Sequence, residues 1–348
     1  MIGPASRCVP TNGKITYKKE GCRQAVDELG AEILLTGDEE KIRQAAAEAK
    51  ISLDGMEIVH APSVIPVEED PTTLLKKYAD SSMAVGLRLL SEGKGEAFVS
   101  AGSTGALVVG STLIVKRVKG VRRIAIGTLV PNAGAGYLLV DAGANHDCRP
   151  EMLLQFALMG SAYMEKVQGI QKPRVGLVNI GTEENKGTQL QLDVLPLLKE
   201  APIHFTGNVE ARSLPLGEVD VAVTDGFTGN IILKTTEGMG KFFSNELKSM
   251  VKSFPGVLGG LLLAGKFKAL KKKSDSNEAG GAPLLGLRKP VIKAHGSSNA
   301  KAFKNAIRQA MTCHQNNMVG LIEEYMESYR AAEAAAKAEA AAGEEEAQ

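Results

Sequence analysis

The chain has 348 residues, 41 basic and 40 acidic, with a net charge of +1, a near-neutrality that argues against a nucleic-acid footprint spread over its whole surface. Its length suits one large α/β domain or two smaller ones. Cys8, Cys22, Cys148 and Cys313 stand far apart with no Cys-x-x-Cys pair, so neither a zinc site nor a disulfide framework is expected, and a reducing cytoplasm fits.

Residues Met1–Glu20 show neither helical nor strand period and read as an irregular leader, with no apolar run of the kind that opens a secretory signal. Gly21–Leu29 reads as an amphipathic helix, Ala31–Leu35 as a strand, Glu39–Lys50 as an alanine-rich helix and Met56–His60 as a strand. Pro71 near the first turn opens a further helix. Ser81–Ser91 and Gly105–Lys116 read as helices on either side of a Glu96–Ser100 strand. A strand at Tyr137–Val140, an apolar helix after Arg149-Pro150-Glu151, a buried strand at Pro173–Ile180, a Gln189–Lys199 helix and a His204–Thr206 strand follow. Val221–Thr224 is a β-branched strand leading through Asp225-Gly226-Phe227-Thr228-Gly229-Asn230 into a helix. Val291–Ala294 is the last strand. The helix after it, capped by Ser298 or Asn299, carries an apolar stripe through Phe303, Ile307, Met311, His314, Met318, Leu321 and Tyr325. An Ala/Glu-rich tail covers 329–348. The alternation of strand and helix argues for a mostly parallel sheet covered on both faces.

Four strands end in small, polar, glycine-rich turns, Ala101–Gly105, Asp141–Asn145, Gly181–Gly187 and Asp225–Asn230, and the last strand ends at His295–Asn299. Glycine lets a backbone approach a ligand closely, and in an open parallel sheet such turns gather at the carboxyl edge, where ligands bind. None is a Walker A loop or a Gly-x-Gly-x-x-Gly fingerprint, and no metal-ligand pattern stands out, so no metal or cofactor is expected. The set suits a phosphate-handling site without identifying a reaction.

Two charged stretches stand apart. Lys116, Arg117, Lys119, Arg122 and Arg123 form a basic tract that reads either as a solvated helix end or as a docking patch for an acidic partner. Between about 245 and 275, lysines flank the apolar Phe254, Val257, Leu258, Leu261, Leu262 and Leu263. A basic hairpin with a greasy tip suits the interface of an anionic membrane, where apolar burial and lysine attraction add; the bland alternative is packing on a partner subunit. Phe254–Gly265 itself is too short to span a bilayer.

Taken together, SAGSTGAL (Ser100–Leu107), LLVDAGAN (Leu138–Asn145), VGLVNIGTEENKG (Val175–Gly187), FTGNVEAR (Phe205–Arg212), VTDGFTGNIILK (Val223–Lys234) and PVIKAHGSS (Pro290–Ser298) resemble the bacterial acyl-ACP:phosphate acyltransferases of phospholipid synthesis, from about Gly21 to about Tyr325. The resemblance implies a Rossmann-like three-layer α/β/α sandwich related to isocitrate dehydrogenase-like and phosphotransacetylase folds, spanning 21–328. It also implies a homodimer and a cytoplasmic, peripherally membrane-associated enzyme that moves a fatty acyl group from acyl carrier protein to inorganic phosphate. Members of that family open with a strand and an Asp-x-Met-Gly-Gly-Asp segment that Met1–Glu20 does not contain. The expectation is therefore either a misplaced start or a missing first strand.

For such a reaction Gly102, Ser103, Thr104, Gly105, Asn145, Asp225 and Ser297 are the candidate phosphate and substrate residues, with Lys186 supplying charge. Asn230 and His295 are candidates to polarise the thioester carbonyl or protonate the departing sulfur. Rival readings are a phosphate acetyl- or butyryltransferase acting on acyl-CoA, and a membrane-associated binding protein with impaired catalysis.

Overall fold

The computed structural model describes residues 7–11, 15–252, 259, 262–266, 280–296 and 298–346. Eleven strands form one sheet. In chain order they are β1 (Arg7–Thr11), β2 (Glu32–Gly37), β3 (Met56–His60), β4 (Ala97–Ser100), β5 (Ala125–Val130), β6 (Tyr137–Val140), β7 (Arg174–Asn179), β8 (His204–Glu210), β9 (Val221–Val223), β10 (Ala282–Leu285) and β11 (Val291–Lys293). Their spatial order is β3-β2-β1-β4-β11-β10-β5-β6-β9-β7-β8.

The described part of the leader is not irregular. β1 lies between β2 and β4, parallel to both, with Cys8 paired to Ile33 on one side and Ala97 on the other. Without it β2 and β4 would face each other across a row of unpaired backbone groups, which a sheet interior does not tolerate. The expected gap at the first strand is thus filled by residues 7–11, and the first helix, α1 (Ile15–Leu29), begins six residues before the expected Gly21.

Two strands that the apolar pattern did not suggest, β5 and β10, control the sheet's direction. The block β3, β2, β1, β4, β11 is parallel; β10 runs antiparallel to β11, β5 to β10 and β6 to β5. The block β6, β9, β7, β8 is parallel again but points against the first. The five turns therefore do not share one carboxyl edge. Those after β4 and β11 lie on one edge; those after β6, β7 and β9 lie on the other.

Helices cover both faces. One face holds α1, α2 (Glu39–Glu48), α5 (Pro150–Lys166), α6 (Gln189–Glu200), α8 (Ala300–Gln315) and α9 (Met318–Glu346); the other holds α3 (Ser82–Ser91) and α4 (Thr104–Gly110). Every residue of α5 from Met152 to Met164 is buried, so this helix is the core of its layer. It lies so close to β6 and β9 that a Cβ at Gly160 would stand 2.7 Å from Val221 Cγ1. Asp38, Ser81 and Asn299 cap α2, α3 and α8 by accepting from the backbone of Lys41, Ala84 and Ala302.

Other expectations need adjustment. The helix expected after Pro71 is only a 3-10 turn, Pro71–Leu75, capped by Asp70. α4 passes at Ser111 into a π-helical turn ending at Val115 with Lys116 as its C-cap, so the basic tract starts at a helix end and runs on as a loop into β5. The expected long C-terminal helix breaks at Asn317, which has φ +52°. The break takes His314 out of the buried stripe: it is exposed, while Cys313 beside it is buried. Finally, α7 (Gly226–Lys252) is one continuous helix of 27 residues. Phe254, Val257, Leu258 and Leu261 lie outside the described residues; Leu262 and Leu263 are exposed.

Candidate active site

The edge where β6, β9 and β7 end is organised by Asp141, which has no exposed surface. Its Oδ1 accepts from the backbone N–H of Ile126 (2.9 Å), Gly143 (3.2 Å) and Ala144 (3.1 Å). Its Oδ2 accepts from the N–H groups of Ala144 (3.0 Å) and Asn145 (2.7 Å) and from Asn145 Nδ2 (2.9 Å). Burial pushes this carboxyl up from its ordinary range, and the ring of donors opposes the shift. Asn145 Nδ2 also donates to the Ile124 carbonyl at 2.8 Å, tying the turn to the end of the basic tract.

The start of α7 sits directly on this turn. Gly226 N donates to Asn145 O at 2.7 Å. A Cβ at Gly226 would stand 2.7 Å from that oxygen, and one at Gly229 would overlap the Asp141 carbonyl oxygen. Asp225 directs its carboxylate onto its own helix, accepting from Phe227 N (3.0 Å), Thr228 N (2.9 Å) and Thr228 Oγ1 (2.8 Å). Asp225 thus shapes the turn, and its carboxylate occupies the first backbone N–H groups of α7. Asn230 is exposed and borders Gly143, where a Cβ would lie 3.6 Å from Asn230 Cβ.

Lys186 stands in the next turn of the same edge. Its N–H donates to Glu183 O and its carbonyl accepts from Asn179 Nδ2. The side chain is exposed, and among the described residues its ammonium makes no ion pair; Glu184 pairs with Lys199 at 2.7 Å. The basic tract flanks this edge. Arg122 N donates to Gln155 Oε1 at 2.8 Å, Gln155 Nε2 returns a bond to Gly120 O at 3.0 Å, and Arg288 Nε donates to Arg117 O at 3.1 Å. Lys116, Lys119, Arg122 and Arg123 are exposed, and Arg117 is half-buried.

The opposite edge carries the other candidates. Gly102 N donates to Ser100 Oγ at 3.2 Å, and Ser103 Oγ caps α4 by accepting from Ala106 N at 3.4 Å. Both glycines are packed: a Cβ at Gly102 would stand 2.7 Å from Met83 Cε, and one at Gly105 2.8 Å from Pro71 Cγ. Thr104 is exposed. His295, also exposed, opens the turn after β11, closed by Ser298 N on His295 O at 3.0 Å. Ser297 lies outside the described residues. Asn145, Asp225, Asn230 and Lys186 thus belong to one edge, and Gly102–Gly105 and His295 to the other.

One residue of this second edge escaped the sequence reading. Lys293, the last residue of β11, is half-buried in the sheet, and desolvation pulls its ammonium down to about 8. Its signal was a lysine inside the apolar run Val291-Ile292-Lys293-Ala294, where a solvated side chain has no place.

Comparison with known proteins decides what this framework is for. A family model described as "Fatty acid synthesis protein" matches residues 19–320. The phosphate acyltransferase of Clostridium botulinum (strain Loch Maree / Type A3) is 48% identical over 306 residues, covering 87% of this chain and 91% of that protein. That of Caldicellulosiruptor bescii is 49% identical over 295 residues, covering 84% and 88%. The chain belongs to the phosphate acyltransferase family.

Acyl transfer to phosphate for lipid synthesis follows from that membership. Among solved structures, a phosphotransacetylase from Streptococcus pyogenes superposes with a TM-score of 0.60 at 17% identity, covering 92% of this chain and 95% of that one. A branched-chain phosphotransacylase from Enterococcus faecalis V583 gives 0.56 at 13%, covering 88% and 98%. At such identities the likeness speaks for the fold, a Rossmann-like α/β sandwich. In this phosphate acyltransferase no helix among the described residues is long and apolar enough to cross a membrane.

Proposed function

We propose that this phosphate acyltransferase takes its acyl group from acyl carrier protein and releases acyl phosphate at a membrane surface. The observation that carries the choice of donor is the basic tract beside the Asp141–Asn145 turn. Arg122 and Gln155 hold it in place, and four of its five cations face solvent. An acidic carrier protein is the partner such a patch attracts. A soluble coenzyme A thioester needs no membrane contact, so the exposed apolar residues of α7 disfavour the acetyl- or butyryltransferase reading.

The chemistry needs little acid or base help. Phosphate's second ionisation lies near neutrality, about 6 for a phosphomonoester, so much of it is already dianionic. A thiolate of pKa about 8.5 leaves readily. A phosphate oxygen attacks the thioester carbonyl, the C–S bond breaks, and the proton carried by phosphate ends on the sulfur. The protein has to orient the reactants, worth roughly 7–11 kcal/mol, and to stabilise the tetrahedral oxyanion, worth roughly 3–4 kcal/mol. Gly102, Ser103, Thr104, Gly105 and Asn145 are proposed to line the phosphate site, Lys186 to supply charge, and Asn230 and His295 to serve the carbonyl or the sulfur. Site residues from both edges of the sheet are engaged in this reading, and a homodimer offers one way to bring them together.

Membrane contact is supported by α7. Phe227, Ile231, Met239, Phe242, Phe243 and Met250 are exposed along it, as are Leu262 and Leu263 beyond its end. Exposed apolar area of this extent marks an interaction surface.

The donor is tested by following thiol release with long-chain acyl-ACP and with acyl-CoA across a salt series. Phosphate-dependent release from acyl-ACP that falls steeply from 50 to about 300 mM salt is expected, because the screening length of exposed charges shrinks from about 14 Å to about 6 Å over that range. Reversing Lys119 and Arg123 to glutamate should mimic high salt. A flat salt profile, or a preference for acyl-CoA, contradicts the carrier-protein reading.

A further inference from the structure

We propose that Lys293 is the cation that holds the phosphate nucleophile beside the Gly102–Gly105 turn, an inference that rests on the acyl-to-phosphate reading above. Lys293 pairs with Ser100 in the parallel β11–β4 ladder, and Ala294 N donates to Ser100 O at 2.8 Å. Side chains at paired positions of neighbouring strands stand on the same face, about 4.8 Å apart. Ser100 Oγ accepts from Gly102 N, so the side chain beside Lys293 already grips the turn. The lysine tip bends the same way, with Nζ donating to Ala294 O at 2.6 Å, at the carboxyl end of its own strand.

Its surroundings leave it short of partners. That carbonyl takes one of three ammonium protons. No carboxylate forms an ion pair with Lys293 among the described residues, and its lowered pKa has desolvation as its only cause. Its neighbours in the ladder are Ser100 and Ala282, neither charged. A half-buried ammonium without a counter-ion among the described residues is costly to maintain for packing alone, since an apolar residue would fill the same place. A dianion arriving at the edge removes that cost and restores the full charge on the lysine. The contrast with Lys186 is instructive: that ammonium is exposed, where water screens it, whereas Lys293 acts from a site of lower dielectric and is worth more per contact.

The test compares Lys293→Met and Lys293→Arg with the unmodified chain, reading KM for inorganic phosphate separately from KM for the acyl donor. Lys293→Met is expected to raise the phosphate KM roughly 10- to 100-fold, the loss of one charge-assisted contact, with the donor KM unchanged. Lys293→Arg should recover part of the loss. A folded Lys293→Met enzyme with an unmodified phosphate KM overturns the proposal and leaves the function intact. A second arm needs neither turnover nor a folded variant. In the unmodified chain at pH 7.5, an amine of lowered pKa reacts early with an acetylating N-hydroxysuccinimide ester, and inorganic phosphate should slow labelling of Lys293 while leaving Lys76, exposed and outside the proposed site, unaffected. If the chain turns over no donor, the reading of function fails, and phosphate protection still decides Lys293: equal labelling with and without phosphate overturns it.

Discussion

Replacing Asp141 with alanine is expected to abolish acyl transfer and to lower stability by about 3–5 kcal/mol in urea unfolding. The side chain has no exposed surface and gathers four backbone N–H groups and one side-chain amide from 126 and 143–145. Each buried donor left without an acceptor costs about 1–3 kcal/mol. The total stays below a simple sum because a freed turn lets some of these groups reach water. Asn145 and the start of α7 depend on that turn through Asn145 Nδ2 and the Gly226 N–H, so the same change displaces Asn145 and Asn230 together. Asp141→Asn tests whether the acceptor charge or only the shape matters. It keeps the shape but presents an amide N–H₂ to groups that are all donors, and it should also destabilise. An alanine variant within about 1 kcal/mol of the unmodified chain would show that the turn does not depend on this carboxylate.

The second large effect is expected at Gly229. Glycine-to-alanine exchange inside a helix ordinarily stabilises by about 0.5–1 kcal/mol. Here the new Cβ would overlap the Asp141 carbonyl oxygen and stand 3.0 Å from its carbon, and backbone atoms do not swing aside as side-chain tips do. The first turn of α7 has to move, at a cost of about 1–3 kcal/mol for overpacking. Asn230, proposed above to serve the carbonyl or the sulfur, moves with it, and a displacement of about 1 Å at a reacting group is worth roughly 100-fold in rate. Gly240, further along α7, supplies the control: it is exposed and nothing lies within 4 Å of its added Cβ. Gly240→Ala should stabilise slightly and leave turnover alone. Equal behaviour of the two variants in thermal unfolding and thiol release would remove the argument from close approach.

Much of this framework was legible because strong local signals agreed with it. Val175–Ile180 and Tyr137–Val140 are apolar runs bounded by glycine-rich turns, and they became β7 and β6. The buried side of α8 and α9 followed the 3.6 period through Phe303, Ile307, Met311, Met318 and Leu321. What escaped was decided by pairing. β1 has no clear alternation of its own and is a strand because β2 and β4 leave a place for it. β10 is four residues long and contains Pro283, and β5 follows directly on a basic tract, so neither reads as a strand in isolation. Those two strands reverse the sheet. Their omission turned two carboxyl edges into one and set Lys186, Asn230 and His295 on the same edge, whereas the first two lie on one edge and His295 on the other. Lys293 was hidden for a related reason: its meaning lies in burial beside Ser100, which spacing along the chain does not reveal.

The central claim is that this chain joins an acyl group to inorganic phosphate. It is tested most directly by identifying the product when the purified chain is incubated with palmitoyl-ACP and 18O-labelled phosphate. Mass spectrometry should find palmitoyl phosphate carrying the label, together with one free carrier thiol per acyl phosphate formed. Thiol release that yields free fatty acid, or no release from any donor in the presence of phosphate, would contradict the account.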